Sequence, residues 1–341
     1  MPELHIFTQE NIAPLINKRS GEIKAGEQIA CLTSSDNWAA ALQLVPQQFV
    51  ILGIPEDIGV RANGGIGGAH TAWLSFLKSF LNLQGNSFFL PETLLLLGAF
   101  ELDEKAMTQI DGLEVLRQHC AQLDDLVFPV IETIVAAGKI PIVIGGGHNN
   151  AFPIIKGCSK ALNKGINAVN LDAHADYRNT EGRHSGNGFR YAKEENFLKR
   201  YCMLGLHEAY NNQDMITAIQ HNDDLLAIWW EDVFLREQLS WNDAIQQAMS
   251  FVSSAPFGVE LDLDCIENTL SSAITPVGIS AQQAMRYLYA CGKHPNARYL
   301  HLPEGVVQRQ DGQLQPLTGK LLSYLVQAFL KGKWETLANK A

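Results

Sequence analysis

The chain has 341 residues, of which 46% are apolar and 18% charged, a composition that excludes general disorder and supplies ample core for an α/β domain. With 26 Lys and Arg against 36 Asp and Glu the formal charge is −10, and no basic block exists to neutralise phosphates, so a nucleic-acid partner is not expected. No stretch reaches the roughly 18 uninterrupted apolar residues of a membrane span, and MPELHIFTQENIAPLINKRS lacks the basic and apolar regions of a secretion signal.

In chain order, residues 1–45 are polar and irregular and read as an N-terminal extension to a single domain over 46–341. Apolar runs at Phe49–Gly53, Thr93–Gly98, Ile140–Gly145, Ala168–Leu171, Cys202–Leu206, Leu225–Trp229, Phe257–Leu263 and Tyr299–Leu302 predict about eight strands. Several are apolar throughout, as strands covered on both faces require. Helical patterns lie between them, among them Leu116–Ala137 and Trp241–Val252. Ser280 with Gln283 three residues on forms a capping box that opens a helix over Ala281–Cys291. Strands alternating with helices imply a mainly parallel sheet between helical layers, a three-layer α/β/α architecture. The six cysteines (Cys31, Cys120, Cys158, Cys202, Cys265 and Cys291) are scattered without a CxxC pair, the pattern of reduced thiols in a cytoplasmic protein.

In such sheets ligands bind beyond the carboxyl ends of the strands, and four of these ends carry an unusual load. His148 follows IPIVIGGG, and Asp172, His174 and Asp176 form DxHxD after the strand Ala168–Leu171. Asp262 and Asp264 follow FGVEL, and Glu304 follows ARYLHLP. Residues at i, i+2 and i+4 of an extended segment share one face, so these motifs would bring two imidazoles and four aspartates together. Four carboxylates repel strongly unless cations neutralise them. Two divalent metals meet that demand. Imidazole and carboxylate donors without thiolates suit Mn²⁺ best, with Zn²⁺, Fe²⁺ or Ni²⁺ as possible occupants. A metal pair about 3.5 Å apart can lower the pKa of a shared water and yield a hydroxide nucleophile near neutral pH. The Gly145–Gly147 run lacks both the Lys-Ser/Thr of a P-loop and the spaced glycines of a dinucleotide fingerprint, and reads as a tight turn before His148.

Over about residues 48–330 these motifs resemble, in the same order, those of the ureohydrolase superfamily of arginases, agmatinases, guanidino-acid hydrolases and formimidoylglutamases. The resemblance implies an α/β/α fold with a binuclear manganese centre. One metal would take His148, Asp172, Asp176 and Asp262, and the other His174, Asp172, Asp262 and Asp264. Glu304 matches the glutamate that meets the substrate's amidine or guanidine nitrogens. It further implies a small-molecule amidine or guanidine substrate and a homo-oligomer.

Departures from the arginase pattern point to the formimidoylglutamase-like branch. GGGHN stands in place of GGDHS, Arg178 follows in DAHADYR, Phe189 occupies the position of an active-site histidine, and Tyr210 replaces a substrate-binding acid. Ser185, Gly186 and Asn187 are retained. ILGIPEDIGVRANGGIGGA, with Arg61 and Asn63, also resembles that branch. Glu260 replaces the serine of SxDxD, with a hydrogen-bonding role behind the ligands as one reading.

The implied reaction is hydrolysis of N-formimidoyl-L-glutamate to L-glutamate and formamide by a metal-bridging hydroxide. Glu304 would orient the amidinium and Asp176 would relay a proton to the leaving nitrogen. Arg178, and less directly Arg190 and Arg61, would hold substrate carboxylates. Asn187 and Glu208 would make further substrate contacts, with Glu208 at the amino nitrogen. His184 reads as a solvated loop histidine or as a stand-in for the missing one. Another urea-releasing member of the superfamily, or a non-catalytic protein of the same fold, are the alternatives.

Overall fold

A computed structural model describes residues 3–102 and 112–338. Among the described residues nine strands are present: β1 (Glu3–Ile6), β2 (Phe49–Gly53), β3 (Leu94–Glu101), β4 (Ile140–Ile144), β5 (Ile166–Leu171), β6 (Leu198–Leu206), β7 (Leu225–Trp229), β8 (Phe257–Leu261) and β9 (Ala297–Leu302). They form one sheet in the order β1-β3-β2-β4-β9-β8-β5-β6-β7. All pairings are parallel except that of β1 with β3.

Alternation along each strand feeds two cores. Phe49, Ile51, Ile142, Ile144, Val169, Leu171, Val259 and Leu261 face the helices Ala72–Phe80, Trp241–Val252, Ala281–Gly292 and Thr318–Ala338. Val50, Leu52, Val143, Ala168, Tyr201, Met203 and Tyr299 face Leu113–Ala136, Ala151–Ala161 and Gly188–Glu194. Because both faces are covered, the central strands are mostly apolar, β2 and β4 throughout, as the sequence indicated for several runs. The capping box at Ser280 forms as expected, with Gln283 N–H donating to Ser280 Oγ at 3.2 Å and Ser280 N–H to Gln283 Oε1 at 2.8 Å.

The mainly parallel sheet expected to hold about eight strands holds nine among the described residues, and secondary structure is present in the segment over 1–45 that read as irregular. The ninth strand is β1, and short helices at Gln9–Ile12, Ala25–Gln28 and Trp38–Leu44 follow it. A four-residue strand carries too little pattern to announce itself, and its order comes from pairing with β3. The approach is close: a Cβ on Gly98, whose φ is +139°, would stand 1.9 Å from the carbonyl oxygen of His5.

The strands that matter for chemistry, β4, β9, β8 and β5, are neighbours at the centre of the sheet. Their carboxyl ends deliver His148, Glu304, Asp262 and Asp172 to one place. No helix among the described residues is long and apolar enough to cross a membrane.

Candidate metal centre and active site

The sequence reading placed DxHxD and DxD on extended strand ends, but the strands stop first. β5 ends at Leu171 and β8 at Leu261, so every ligand-type residue lies in the turn beyond. Local hydrogen bonds then shape each turn. Asp172 Oδ1 accepts the His174 N–H at 2.7 Å, and Asp262 Oδ1 accepts the Asp264 N–H at 2.8 Å. Asp176 and Glu304 adopt φ values of 45° and 63°, a left-handed backbone that non-glycine residues rarely take and that concentrates at functional sites.

The turn before His148 is held by a residue of the IPED segment. Glu56, fully buried, accepts N–H groups from Ile58 at 2.6 Å and Gly147 at 2.7 Å, and the Asn150 side-chain amide at 2.7 Å. A side chain at Gly147 would put its Cβ 2.5 Å from Asn149 Oδ1, which accounts for glycine in GGGHN. Arg183 braces the same turn from the other side. It pairs with Asp124 at 2.7 Å and donates to the Asn149 carbonyl at 2.8 Å.

Of the three groups of potential ligands among the described residues, two adjoin the cavity, His148 with Asp172, Asp176 and Asp262, and Asp172 with His174 and Asp264. Asp172 belongs to both, whereas Asp262 belongs to the first only. His148 Nδ1 lies 2.9 Å from Asp176, 3.0 Å from Asp262 and 3.3 Å from Asp172. His174 Nδ1 lies 3.1 Å from Asp264 and 3.6 Å from Asp172.

Burial, then repulsion from Asp264 and Asp172, pushes the Asp262 carboxyl well above its ordinary range. Burial raises Asp264 to about 7, and burial with neighbouring aspartates raises Asp176 and Glu304. Burial also opposes charge on His148, yet the surrounding carboxylates outweigh it and raise its pKa. Both His148 ring nitrogens and Asp264 Oδ1 are buried without a hydrogen-bond partner. So many acids in one dry place need cations. Nitrogen and oxygen donors in two overlapping groups therefore fit a pair of divalent transition metals.

Above this cluster opens a cavity of about 190 Å³. That is below the roughly 300–1,000 Å³ of drug-sized sites and suits a small metabolite. His174, Asp176, Asp262, Asp264 and Glu304 form its floor, and Asn63, Arg178, Ser185, Tyr210 and Ser272 its wall. Glu304 is oriented by the His148 N–H at 3.1 Å and the Ser272 hydroxyl at 3.0 Å. Arg178 donates to Asn63 Oδ1 at 2.8 Å and lies 3.5 Å from Glu181 Oε1, which holds its guanidinium at the cavity wall. The His174 ring stacks on Tyr210, which stacks on His207. Ser185 belongs to the retained Ser-Gly-Asn segment, whereas Ser272 carried no motif that singled it out for this wall.

Several expected substrate contacts are not brought to the cavity. Asn187 is buried beneath the loop, accepting from Arg183 and His184 N–H and donating to the Asn179 and Gly182 carbonyls; it folds the loop that carries Arg178. Glu208 points outward and pairs with Arg236 at 2.7 Å. Arg190 pairs with Glu194 one helical turn on and lies over the Tyr177 ring. Arg61 occupies the short helix Ile58–Ala62, and it is the following Asn63 that lines the cavity. His184 is neither solvated nor a stand-in. Its ring is buried, caps the Ser185–Asn187 turn through Gly186 N–H, and is lowered by burial to about 4. Phe189 is also fully buried, edge-on to the His148 ring at 5.1 Å and stacked on Tyr201 at 4.2 Å.

Glu260 acquires an account as well. It sits under His148, bound by Tyr299 and His301, and does not line the cavity.

Comparison with known proteins gives a consistent result. The arginase family model matches residues 47–302. A formimidoylglutamase of Salmonella heidelberg is 27% identical over 264 residues, covering 75% of this chain and 74% of that protein. One from Macrococcus caseolyticus is 29% identical over 195 residues, but the match spans only 60% of that relative's length and 55% of this chain. Among solved structures, formimidoylglutamase from Bacillus subtilis superposes with a TM-score of 0.75 at 18% identity, covering 94% of this chain and 95% of that one. The Trypanosoma cruzi formiminoglutamase with Mn²⁺ gives 0.70 at 19% identity, covering 91% and 98%. These likenesses establish the three-layer fold.

Proposed function

Because the chain belongs to the arginase family, we propose that it hydrolyses N-formimidoyl-L-glutamate to L-glutamate and formamide. It is a hydrolase acting on the C–N bond of a linear amidine. The observation that carries the substrate reading is Arg178, a guanidinium fixed by Asn63 in the wall of a cavity whose floor is otherwise acidic. A substrate that is cationic at one end and anionic at the other fits that polarity.

The two groups of ligands would hold two divalent cations, with Mn²⁺ the first choice by analogy with the T. cruzi relative. Bound there, such cations supply Lewis acidity and lower the pKa of water. Water adds to the amidine carbon, the bond to the glutamate nitrogen breaks, and that nitrogen leaves with a proton. Glu304, held by Ser272 and the His148 N–H, accepts hydrogen bonds from the amidinium and sets its plane. Asp176, at the cavity floor, takes the proton from water and passes it to the leaving nitrogen. Arg178 fixes the distance of the carboxylate end from that point. On this reading the enzyme works in the cytoplasm and self-associates as a homo-oligomer.

The test is a steady-state panel of Mn²⁺-loaded protein with formimidoylglutamate, arginine, agmatine, guanidinobutyrate and guanidine. Formamide and glutamate released from the first alone are expected. Urea released from any of the others would transfer the site to a guanidine substrate.

A further inference from the structure

Beneath the proposed ligands, on the face of the sheet that also carries Ala168, Tyr201 and Tyr299, runs a row of polar side chains in otherwise apolar strands. Asn170 on β5 pairs in register with Glu260 on β8, and Glu260 with His301 on β9. Glu260, His301 and His148 are all without solvent exposure. Burying a carboxylate here is costly unless donors surround it, and they do. The Tyr299 hydroxyl donates to Oε1 at 2.7 Å, the His301 Nδ1 lies 2.7 Å from Oε2, and the His148 Nε2 lies 3.4 Å from Oε2.

Room for this arrangement is built into the sheet. Gly258, opposite Tyr299 in register, leaves space for the phenol ring, and a Cβ there would stand 2.0 Å from it. Any other residue at 258 would push Tyr299 off Glu260.

We infer that Glu260 is a positioning residue that fixes the ring orientation and tautomer of His148. With Nδ1 turned to three aspartates, the other ring nitrogen, Nε2, is left to carry the proton, and it faces Glu260 Oε2 at 3.4 Å, a contact longer than a formed hydrogen bond. Such a partner makes the imidazole a stronger donor and commonly contributes about 10- to 100-fold in metal affinity. Asn170 does the equivalent for Asp172, donating to Oδ2 at 2.9 Å while touching the Tyr201 hydroxyl. His174 has no such carboxylate behind it among the described residues; its ring is backed by Tyr210. The effect of Glu260 is therefore confined to one side of the centre. This inference rests on the two-metal reading of the site.

A rival arrangement is a third cation held by His148, Glu260 and His301, whose ligand atoms lie within 4.8 Å of one another. Both Glu260 oxygens are already engaged by Tyr299 and His301, which favours the hydrogen-bonded form.

The experiment is Mn²⁺ titration of the metal-free full chain, following free Mn²⁺ by its EPR signal, for wild type, Glu260→Gln and Tyr299→Phe. Two equivalents are expected in the wild type. In Glu260→Gln one of them should weaken by about 10- to 100-fold while the other stays within about threefold. Tyr299→Phe, which keeps the carboxylate and removes one donor, should weaken the same equivalent by several-fold. Equal affinities in wild type and variants, or a uniform loss at both equivalents, would overturn the inference and leave the two-metal reading intact. Uptake of a third equivalent that Glu260→Gln abolishes would also overturn it, because Glu260 would then be a ligand. Fewer than two equivalents in the wild type would overturn the site reading itself and this inference with it. Should Glu260→Gln fail to fold by circular dichroism, Tyr299→Phe decides alone: selective weakening supports the role, unchanged affinity overturns it.

Discussion

His148 and His174 offer the same imidazole to one carboxylate cluster from opposite settings. The His148 side chain is fully buried, with Phe189 at its edge, Glu260 beneath it and a turn braced by Glu56 and Arg183. The His174 side chain is 29% exposed, faces the cavity and stacks on Tyr210, itself half in solvent. The closed half has the rigidity to set geometry and affinity, because each group in it is held by at least two elements of the fold. The open half has the access to receive substrate, and its wall is made of loop residues. Preorganisation and access are thus assigned to different sides of one centre.

The variant that should break this division most completely is Asp172→Ala, since Asp172 belongs to both groups. Both metals should be lost on dialysis, and hydrolysis should fall by more than the roughly 100-fold typical of a supporting partner. Metal analysis that finds one equivalent still tightly bound would mean the halves are independent.

Next in size is Arg183→Met, which strands the buried Asp124 carboxylate and frees the Asn149 carbonyl. Denaturant unfolding should show a loss of about 3–5 kcal/mol. A loss below 1 kcal/mol, on the same scale, would show that the closed half does not depend on this brace.

Arg178→Ala sharpens the contrast from the open side. It should lower kcat/KM for formimidoylglutamate by about 30-fold, or about 2 kcal/mol, with metal content unchanged. A change in metal uptake instead would tie the rim to the centre.

The smallest effect belongs to Glu208→Ala. Its pairing with Arg236 lies on the surface, outside the cavity, so stability and kcat/KM should stay within about 0.5 kcal/mol. A large rise in KM would return Glu208 to the substrate.

What the sequence disclosed follows from where its signals are local. Apolar runs followed at once by His148, Asp172 or Asp262 mark strand ends, and their parallel arrangement puts those ends together. The same reading misplaced Asn187, Glu208 and Arg190. Their residue types matched a binding role, but their directions are set by contacts with Arg183, Arg236 and Glu194 that spacing does not encode. Glu260 was visible as a departure, and its meaning needed β8 and β9 side by side, which brings together residues about 40 positions apart. The strand Glu3–Ile6 was invisible because its order is borrowed from β3.

That borrowed strand also governs how the protein behaves in company. β3 is eight residues long and mostly buried, with the sequence LLLLGAFE, and β1 occupies its outer edge. A side chain at position 98 would collide with the His5 carbonyl and lift β1 away. The exposed ladder would then be a long apolar template for other chains. Gly98→Val should therefore show itself first as concentration-dependent aggregation in light scattering, in a molecule whose metal-binding residues are untouched.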